Sequence, residues 1–286
     1  MLASPALLAS RTTALGALGA LALLLSTAAL AAPPKKAGVP RLVFPVVGAA
    51  AYYDDFGEAR GGLRHQGNDL LAEKRQLAVA VEPGKVEFWT TSASAGCMLY
   101  LYGDSGTSYQ YIHLNNDVGK GNDNKGSCVA GVAYFKGLKD GQHVEVGEPI
   151  GYVGDSGDAN GIHPHLHFEV HPRDGKAVSP FRFLGKARHL LFAAKPRTSV
   201  RVALTGTVQA VGEGQVDLQT ELVRVSTGLR VPKVNRVVTL ALDPGLDASG
   251  LLVGTRVRIT SGVPLVSLAE ELGTPLALDA TSFVAL

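Results

Sequence analysis

The stretch Gly161–Pro172, GIHPHLHFEVHP, contains four of the eight histidines of the 286-residue chain. Apolar and polar residues alternate in it, which is the period of a β-strand with one buried face. The predicted inward residues are Leu166, Phe168 and Val170, and the predicted outward residues are His165, His167 and Glu169. Because proline cannot donate to a sheet ladder, Pro164 places the start of the strand near His165 and leaves His163 in the preceding loop. The pattern predicts two imidazoles that point together into a cleft.

A histidine pair alone is as typical of a solvated strand face as of a metal site, so further ligands have to come from elsewhere. The segment HQGND, residues 65–69, supplies His65 and Asp69, with Gly67 between them to permit a tight backbone path. One imidazole and one carboxylate from this segment, with one imidazole from the strand, make a three-ligand site. Such a site leaves a fourth position open, as in catalytic rather than structural zinc sites.

A further histidine lies in YQYIHL, residues 109–114. Strand alternation predicts that Tyr109, Tyr111 and His113 share one face, opposite Ile112 and Leu114. Taken alone, His113 is typical of an ordinary edge-strand histidine.

The composition favours a β-rich globular protein, because the chain is 46% hydrophobic and 18% charged, with 34 glycines and 15 prolines. The net charge of +2 gives no electrostatic basis for nucleic-acid binding. We predict a mainly β fold: an antiparallel sheet domain with a groove at residues 42–190, then a small barrel or sandwich, OB-like, at 199–286. Within the second domain, AEELGT (269–274) is the one predicted helical turn.

The N-terminal residues 1–31 are predicted to be a signal peptide, followed by a linker at 32–41. An apolar run rich in Ala and Leu ends in Ala29–Ala31, a small-x-small pattern that a signal peptidase cleaves. The alternative is a retained membrane anchor, because the run is nearly long enough to span a bilayer. Either interpretation places the remaining chain outside the cytoplasm.

Export bears on the state of the two cysteines, Cys97 and Cys128. An even cysteine count in an oxidising compartment favours a disulfide, which would tie a strand to the loop after His113. The alternatives are two free thiols or a metal pair, although no CxxC spacing supports the metal pair.

Over about residues 44–185, the sequence resembles the lysostaphin-type zinc metallopeptidases, which cut peptide bonds in bacterial cell-wall peptidoglycan. Three motifs carry the resemblance in the expected order: HQGND, YQYIHL and HPHLHFEV. Two flanking segments support it, DDFGEAR (54–60) and GQHVEVGEPIGYVGDSGDANG (141–161). The resemblance says nothing about residues 199–286.

The resemblance implies a role for each histidine of the three motifs. His65, Asp69 and His167 become the ligands of a Zn²⁺ ion, and His113 and His165 become the two non-ligand catalytic histidines. Either catalytic histidine is suited to accept a proton, donate one to the leaving amine or stabilise an oxyanion.

The roles of four neighbouring residues stay open. Glu169 either orients a histidine or is a surface carboxylate, and His163 lines the cleft at most. His171 is predicted to be a bystander. Arg60 either meets carboxylates of the substrate or is simply solvated.

Together with the predicted signal peptide, the resemblance implies an exported endopeptidase that hydrolyses peptidoglycan cross-links or stem peptides, in the periplasm or outside the cell. Its expected partner is the peptide substrate, with no nucleic acid and no stable membrane insertion after signal cleavage; the oligomeric state is left open. One alternative is a non-catalytic wall-binding or regulatory member of the same fold, and another is a histidine-rich metal buffer. Residues 199–286 are open to three roles: binding wall polymer, packing over the cleft, or dimerisation.

Overall fold

The structure is a computed structural model that describes residues 38–90, 92–119, 121–190, 192–193, 195, 199–226, 235–261, 265–266 and 279–286. The predicted signal peptide, most of the predicted linker and the predicted helical turn AEELGT lie outside these residues. Within them, no helix combines the length and the apolar character that crossing a membrane requires.

Short strands make up most of the ordered structure between residues 38 and 190. They are β1 (Ala59–Arg60), β2 (Leu63–Arg64), β3 (Asn68–Leu71), β4 (Leu77–Val79), β5 (Gly84–Trp89), β6 (Cys97–Gly103), β7 (Thr107–Leu114), β8 (His143–Val144), β9 (Pro149–Tyr152) and β10 (His165–Pro172). A 3₁₀ turn at Gly157–Ala159 precedes β10, and the short helix α1 (Phe181–Leu184) follows it.

The main sheet has the strand order β3-β10-β7-β6-β5-β8, and every pairing in it is antiparallel. One face packs on a hydrophobic core that also receives β4 and β9, which pair with each other. The opposite face carries the polar side chains of β10. The predicted antiparallel sheet domain is therefore confirmed.

The alternation predicted for β10 is confirmed as well. Leu166, Phe168 and Val170 are fully buried in the core beneath the sheet. The strand begins at His165, directly after Pro164, as the missing proline N–H predicts. The polar residues of β10 therefore lie together on the other face.

The alternation predicted for β7 is wrong at one point. Tyr109 and Tyr111 are fully buried in the core, whereas His113 lies on the opposite face with the histidines of β10. The register between β6 and β7 shifts here, and His113 has a φ of 61°. This β-bulge turns the His113 side chain onto the face where Ile112 pairs with His167.

The two cysteines form a disulfide between β6 and the long loop after β7. Cys97 and Cys128 are 31 residues apart in sequence and bonded through their sulfur atoms. This confirms the predicted bridge and excludes the free-thiol and metal-pair alternatives.

The last part of the chain forms a second hydrophobic core inside a closed barrel. Its elements are β11 (Ser199–Val200), β12 (Val202–Gly212), β13 (Gln215–Val225), β14 (Arg236–Leu242), β15 (Arg256–Ser261), β16 (Leu265–Val266) and β17 (Asp279–Ala285). The barrel order is β12-β13-β14-β17-β15, with β12 also paired to β15 and with β14 parallel to β17. This five-stranded Greek-key closure agrees with the predicted OB-like barrel.

Candidate metal centre

Three side chains converge at the edge of the main sheet where β3 pairs with β10. His65 Nε2 lies 3.1 Å from Asp69 Oδ1 and 2.8 Å from His167 Nδ1. His167 Nδ1 lies 3.1 Å from the same oxygen of Asp69. One atom of each predicted ligand thus occupies one corner of a nearly equilateral triangle.

The local backbone explains this convergence. Asp69 is the register partner of His167 across the β3–β10 pair, so the two side chains share a face of the sheet. The approach to β3 passes so close to β10 that a Cβ on Gly67 would lie 2.4 Å from the carbonyl oxygen of Phe168. Glycine is therefore required at this position so that His65 reaches the site.

The ligand atoms suit a zinc ion. Imidazole nitrogens and carboxylate oxygens are zinc ligands, and a tetrahedral ion bound at 2.0–2.1 Å separates its ligands by about 3.3 Å. The observed spacings of 2.8–3.1 Å are close to that value. Three ligands from the protein leave a position for water or substrate.

The charges of Asp69 and His167 are complementary. Burial opposes ionisation of Asp69, but hydrogen bonds from His167 and His65 hold its pKa well below its usual range. Burial also lowers the pKa of His167, but hydrogen bonds to Asp69 and Glu169 more than offset this and raise that pKa to about 9. Since a metal binds the deprotonated ring nitrogen, the raised pKa of His167 makes protons compete with metal binding.

A series of polar contacts holds His167 on the side of the ring that faces away from Asp69. Its Nε2 lies 3.0 Å from Glu169 Oε1, and Glu169 Oε2 lies 2.6 Å from His171 Nε2. His171 Nδ1 in turn contacts the carbonyl oxygen of Gly175 at 2.9 Å. Burial alone would raise the pKa of Glu169, yet the two histidines lower it to about 2. Glu169 is thus an ionised partner of the predicted ligand His167, and His171 is the next residue in this series of polar contacts.

Asp55 supports the other imidazole. This buried residue approaches His65 Nδ1 through its carbonyl oxygen at 3.0 Å and its carboxylate at 3.3 Å. The carboxylate also accepts a hydrogen bond from the side chain of Asn68, which fixes the start of β3. Arg60 donates to Asp69 Oδ2 at 2.7 Å, so it neutralises the oxygen that does not face the other ligands.

The two predicted catalytic histidines lie beside the triangle. The rings of His113 and His165 are 5.0 Å apart, and His165 Nε2 lies 3.7 Å from Asp69 Oδ1. His113 Nδ1 donates to the carbonyl of Ser156 at 2.9 Å, and His165 Nδ1 donates to the carbonyl of His163 at 2.9 Å. Because a carbonyl only accepts, the neutral form of each ring carries its proton on Nδ1 and leaves Nε2 as the acceptor.

Ser156, whose carbonyl accepts the hydrogen bond from His113, is itself held in place by its hydroxyl group. Its hydroxyl donates to the carbonyl of Leu114 and accepts the backbone N–H of Cys97 at 2.9 Å, which joins β6, β7 and the turn before β10. Burial lowers the pKa of His113 to about 4, and electrostatic interactions with the rings of His165 and His167 act in the same direction. His113 is therefore neutral at physiological pH, with its free acceptor nitrogen held in place.

The remaining histidines lie outside this cluster. His163 is exposed in the loop before β10, and His143 is exposed beside Asp104. His189 stacks on Phe44.

Sequence reasoning missed Asp55, Ser156 and the contact of His171. The segments DDFGEAR and GDSG contain Asp55 and Ser156, and their position in the supporting motifs was the available signal. The contact of His171 with Glu169 follows from β10 continuing to Pro172, which places both residues on the same face of the strand.

Comparison with known proteins is consistent with this site. The model of peptidase family M23 matches residues 63–180. The L-Ala–D-Glu endopeptidase of Bacillus subtilis (strain 168) is 29% identical over 139 residues, which cover 46% of this chain and 37% of that protein. The chain thus spans less than half the length of this curated relative.

Two solved structures are also similar. The catalytic domain of the antimicrobial peptidase lysostaphin from Staphylococcus simulans is 24% identical, with a TM-score of 0.36, over 47% of this chain and 90% of that chain. A zinc-containing peptidase from Vibrio cholerae is 22% identical, with a TM-score of 0.36, over 49% of this chain and 39% of that chain.

Residues 63–180 match peptidase family M23, so this part of the chain contains an M23 domain. The predicted resemblance is thereby confirmed. The domain includes the three residues of the triangle and both adjacent histidines.

Proposed function

We propose that this protein is an exported zinc-dependent endopeptidase that hydrolyses peptide bonds in bacterial peptidoglycan. The convergence of one atom each from His65, Asp69 and His167 carries the proposal. The name of the Bacillus subtilis relative, an L-Ala–D-Glu endopeptidase, supports a cell-wall peptide as substrate. The disulfide supports an oxidising compartment, as expected for an exported protein.

His65, Asp69 and His167 would hold the zinc ion. When bound, zinc supplies the Lewis acidity that activates water and polarises a carbonyl group. Glu169 and Asp55 keep the two imidazoles in the orientation that directs His65 Nε2 and His167 Nδ1 to the same point.

His113 and His165 would handle the protons of the reaction. Each ring is held by a backbone carbonyl at Nδ1 and presents Nε2 as an acceptor. A neutral imidazole in this orientation accepts a proton from the attacking water and returns it to the leaving amine. The protonated ring also donates a hydrogen bond to a developing oxyanion.

The alternative of a non-catalytic wall-binding protein predicts that at least one of the five residues is lost or displaced. In this chain all five residues are present and their side chains lie in one cluster, which favours catalysis. The predicted division into a peptidase domain at 42–190 and an all-β domain at 199–286 remains part of the proposal.

The experiment is zinc analysis and hydrolysis of purified sacculi with two variants of the mature protein. His167→Ala should lose the zinc, whereas His113→Ala should keep about one zinc per chain and lose most hydrolysis. His143→Ala is the matched control, because His143 is exposed and outside the cluster. Hydrolysis by His113→Ala at the wild-type rate would refute the role of His113. Mass spectrometry of fragments from peptidoglycans of different cross-link types would identify the bond that is cut.

A further inference from the structure

Three aromatic side chains form a patch on the face of the main sheet that carries the metal centre. Trp89 on β5 and Tyr102 on β6 are 40% and 37% exposed, and Tyr100 lies between them. The rings of Trp89 and Tyr100 meet edge to face at 5.8 Å, and those of Tyr100 and Tyr102 are parallel at 5.9 Å. We call these three residues the aromatic platform.

The strand register shows that the platform and the metal centre share one face. Glu169 on β10 pairs with Gln110 on β7, Gln110 pairs with Tyr100 on β6, and Tyr100 pairs with Glu87 on β5. Directly paired residues project to the same side of a sheet. A row of side chains therefore runs across four strands, from the residue that supports His167 to the platform.

The platform offers mainly side-chain faces. Tyr100 and Tyr102 lie on β6, which pairs with β5 on one side and with β7 on the other. β8 covers the outer edge of β5 at Gly84 and Lys85. An extended peptide therefore has no strand edge to join at Tyr100 and Tyr102. The polar neighbours carry mixed charge, with Lys85 and Glu87 on β5 and the amide of Gln110 on β7, so the patch does not select a highly charged polymer.

We propose that the aromatic platform binds a sugar ring of the glycan strand to which the substrate peptide is attached. A pyranose has a flat apolar face, which fits an exposed aromatic ring, and hydroxyl groups at its rim, which fit the flanking polar side chains. The inference rests on the proposed function for the nature of the polymer. It adds a glycan subsite separate from the hydrolytic centre.

The distance between the two sites fits a stem peptide. Adjacent strands lie about 4.8 Å apart, so β6 and β5 are about 10 and 14 Å from β10. An extended peptide advances about 3.3 Å per residue, so three to four residues span this distance. One substrate molecule is therefore able to place a sugar on the platform and a peptide bond at the metal centre.

The test uses the fluorescence of Trp89, which is the single tryptophan of the chain. The probe is peptide-free glycan, oligosaccharides of alternating N-acetylglucosamine and N-acetylmuramic acid prepared with an amidase. Addition of glycan should shift the emission of Trp89 to the blue in a saturable manner. Tyr102→Ala should raise the Kd for glycan about tenfold or more. Tyr102→Phe keeps the ring and should retain binding. Phe181→Ala is the matched control, since Phe181 is similarly exposed at 39% but lies on α1.

This binding measurement needs no hydrolysis, so it separates the two proposals. A fluorescence response without any hydrolysis of sacculi would remove the proposed function and keep the glycan subsite. Hydrolysis of sacculi with no response of Trp89 to glycan would overturn the subsite. The subsite would also be overturned if Tyr102→Ala bound glycan with the same Kd as the wild type.

Discussion

Glu169 Oε1 lies 3.0 Å from His167 Nε2, the ring nitrogen on the side opposite the one that faces Asp69. The carboxylate thereby fixes which nitrogen of His167 is available for a metal. We predict that Glu169→Gln weakens zinc affinity about 10–100-fold, because a neutral amide orients the ring less firmly and makes it less basic. Competition with a chromophoric chelator measures this affinity. Glu213→Gln, at an exposed position in the barrel, should bind zinc like the wild type.

The low pKa of His113 predicts a specific pH dependence of stability in the metal-free protein. The ring titrates at about 4 when folded, against 6.5 for an unperturbed histidine. Between these values the unfolded chain binds the extra proton, so this stabilisation is complete above pH 6.5 and is lost as the pH falls towards 4.

Denaturant unfolding of wild type and His113→Gln at pH 4 and pH 7 measures this contribution. The wild type should lose on the order of 3 kcal/mol more than the variant on acidification, since 2.5 pKa units correspond to that energy. His143→Gln, at an exposed site, should retain the wild-type dependence. Parallel pH profiles of wild type and His113→Gln would show that His113 is not held neutral by burial.

The disulfide is predicted to stabilise the fold through the long loop after β7. Closing a loop of 31 residues restricts the unfolded chain by about 3–4 kcal/mol in the chain-entropy model. Cys97→Ser combined with Cys128→Ser should lower the free energy of unfolding by about this amount, measured by denaturant titration. An unchanged free energy would contradict a stabilising role for the bridge.

Lys74 anchors the same loop by charge. Its Nζ donates to Asp117 at 2.6 Å and to Asp155 at 2.8 Å, and both carboxylates are almost completely buried. Lys74→Met leaves two buried carboxylates without a cation and should cost about 3–5 kcal/mol of stability. Thermal and denaturant unfolding measure the loss, with Lys176→Met at an exposed position as the control. A loss below 1 kcal/mol would mean that water compensates the charges.

Strand periodicity was sufficient to predict the face of β10 that carries the site. Leu166 and Phe168 fill the core, so His165 and His167 have to project to the other side. The spacing of His65 and Asp69 was informative because the chain between them is short and contains Gly67. The barrel strands were likewise visible as alternating segments separated by turns.

Periodicity failed at His113 because the bulge has no simple sequence signal. A positive φ is unusual for a residue other than glycine, and nothing in YQYIHL marks it. The contacts of Asp55 and Ser156 were also beyond prediction from spacing, because they join segments that meet only after folding. The family resemblance supplied the role of His113, and the bulge explains how the chain places that side chain.

The most direct test of the account is zinc-dependent release of new amino termini from purified sacculi by the mature full-length protein. Chelation should abolish the release, and about one equivalent of zinc per chain should restore it. Release that continues unchanged after the zinc has been removed would contradict the assignment of His65, Asp69 and His167 as the centre of catalysis.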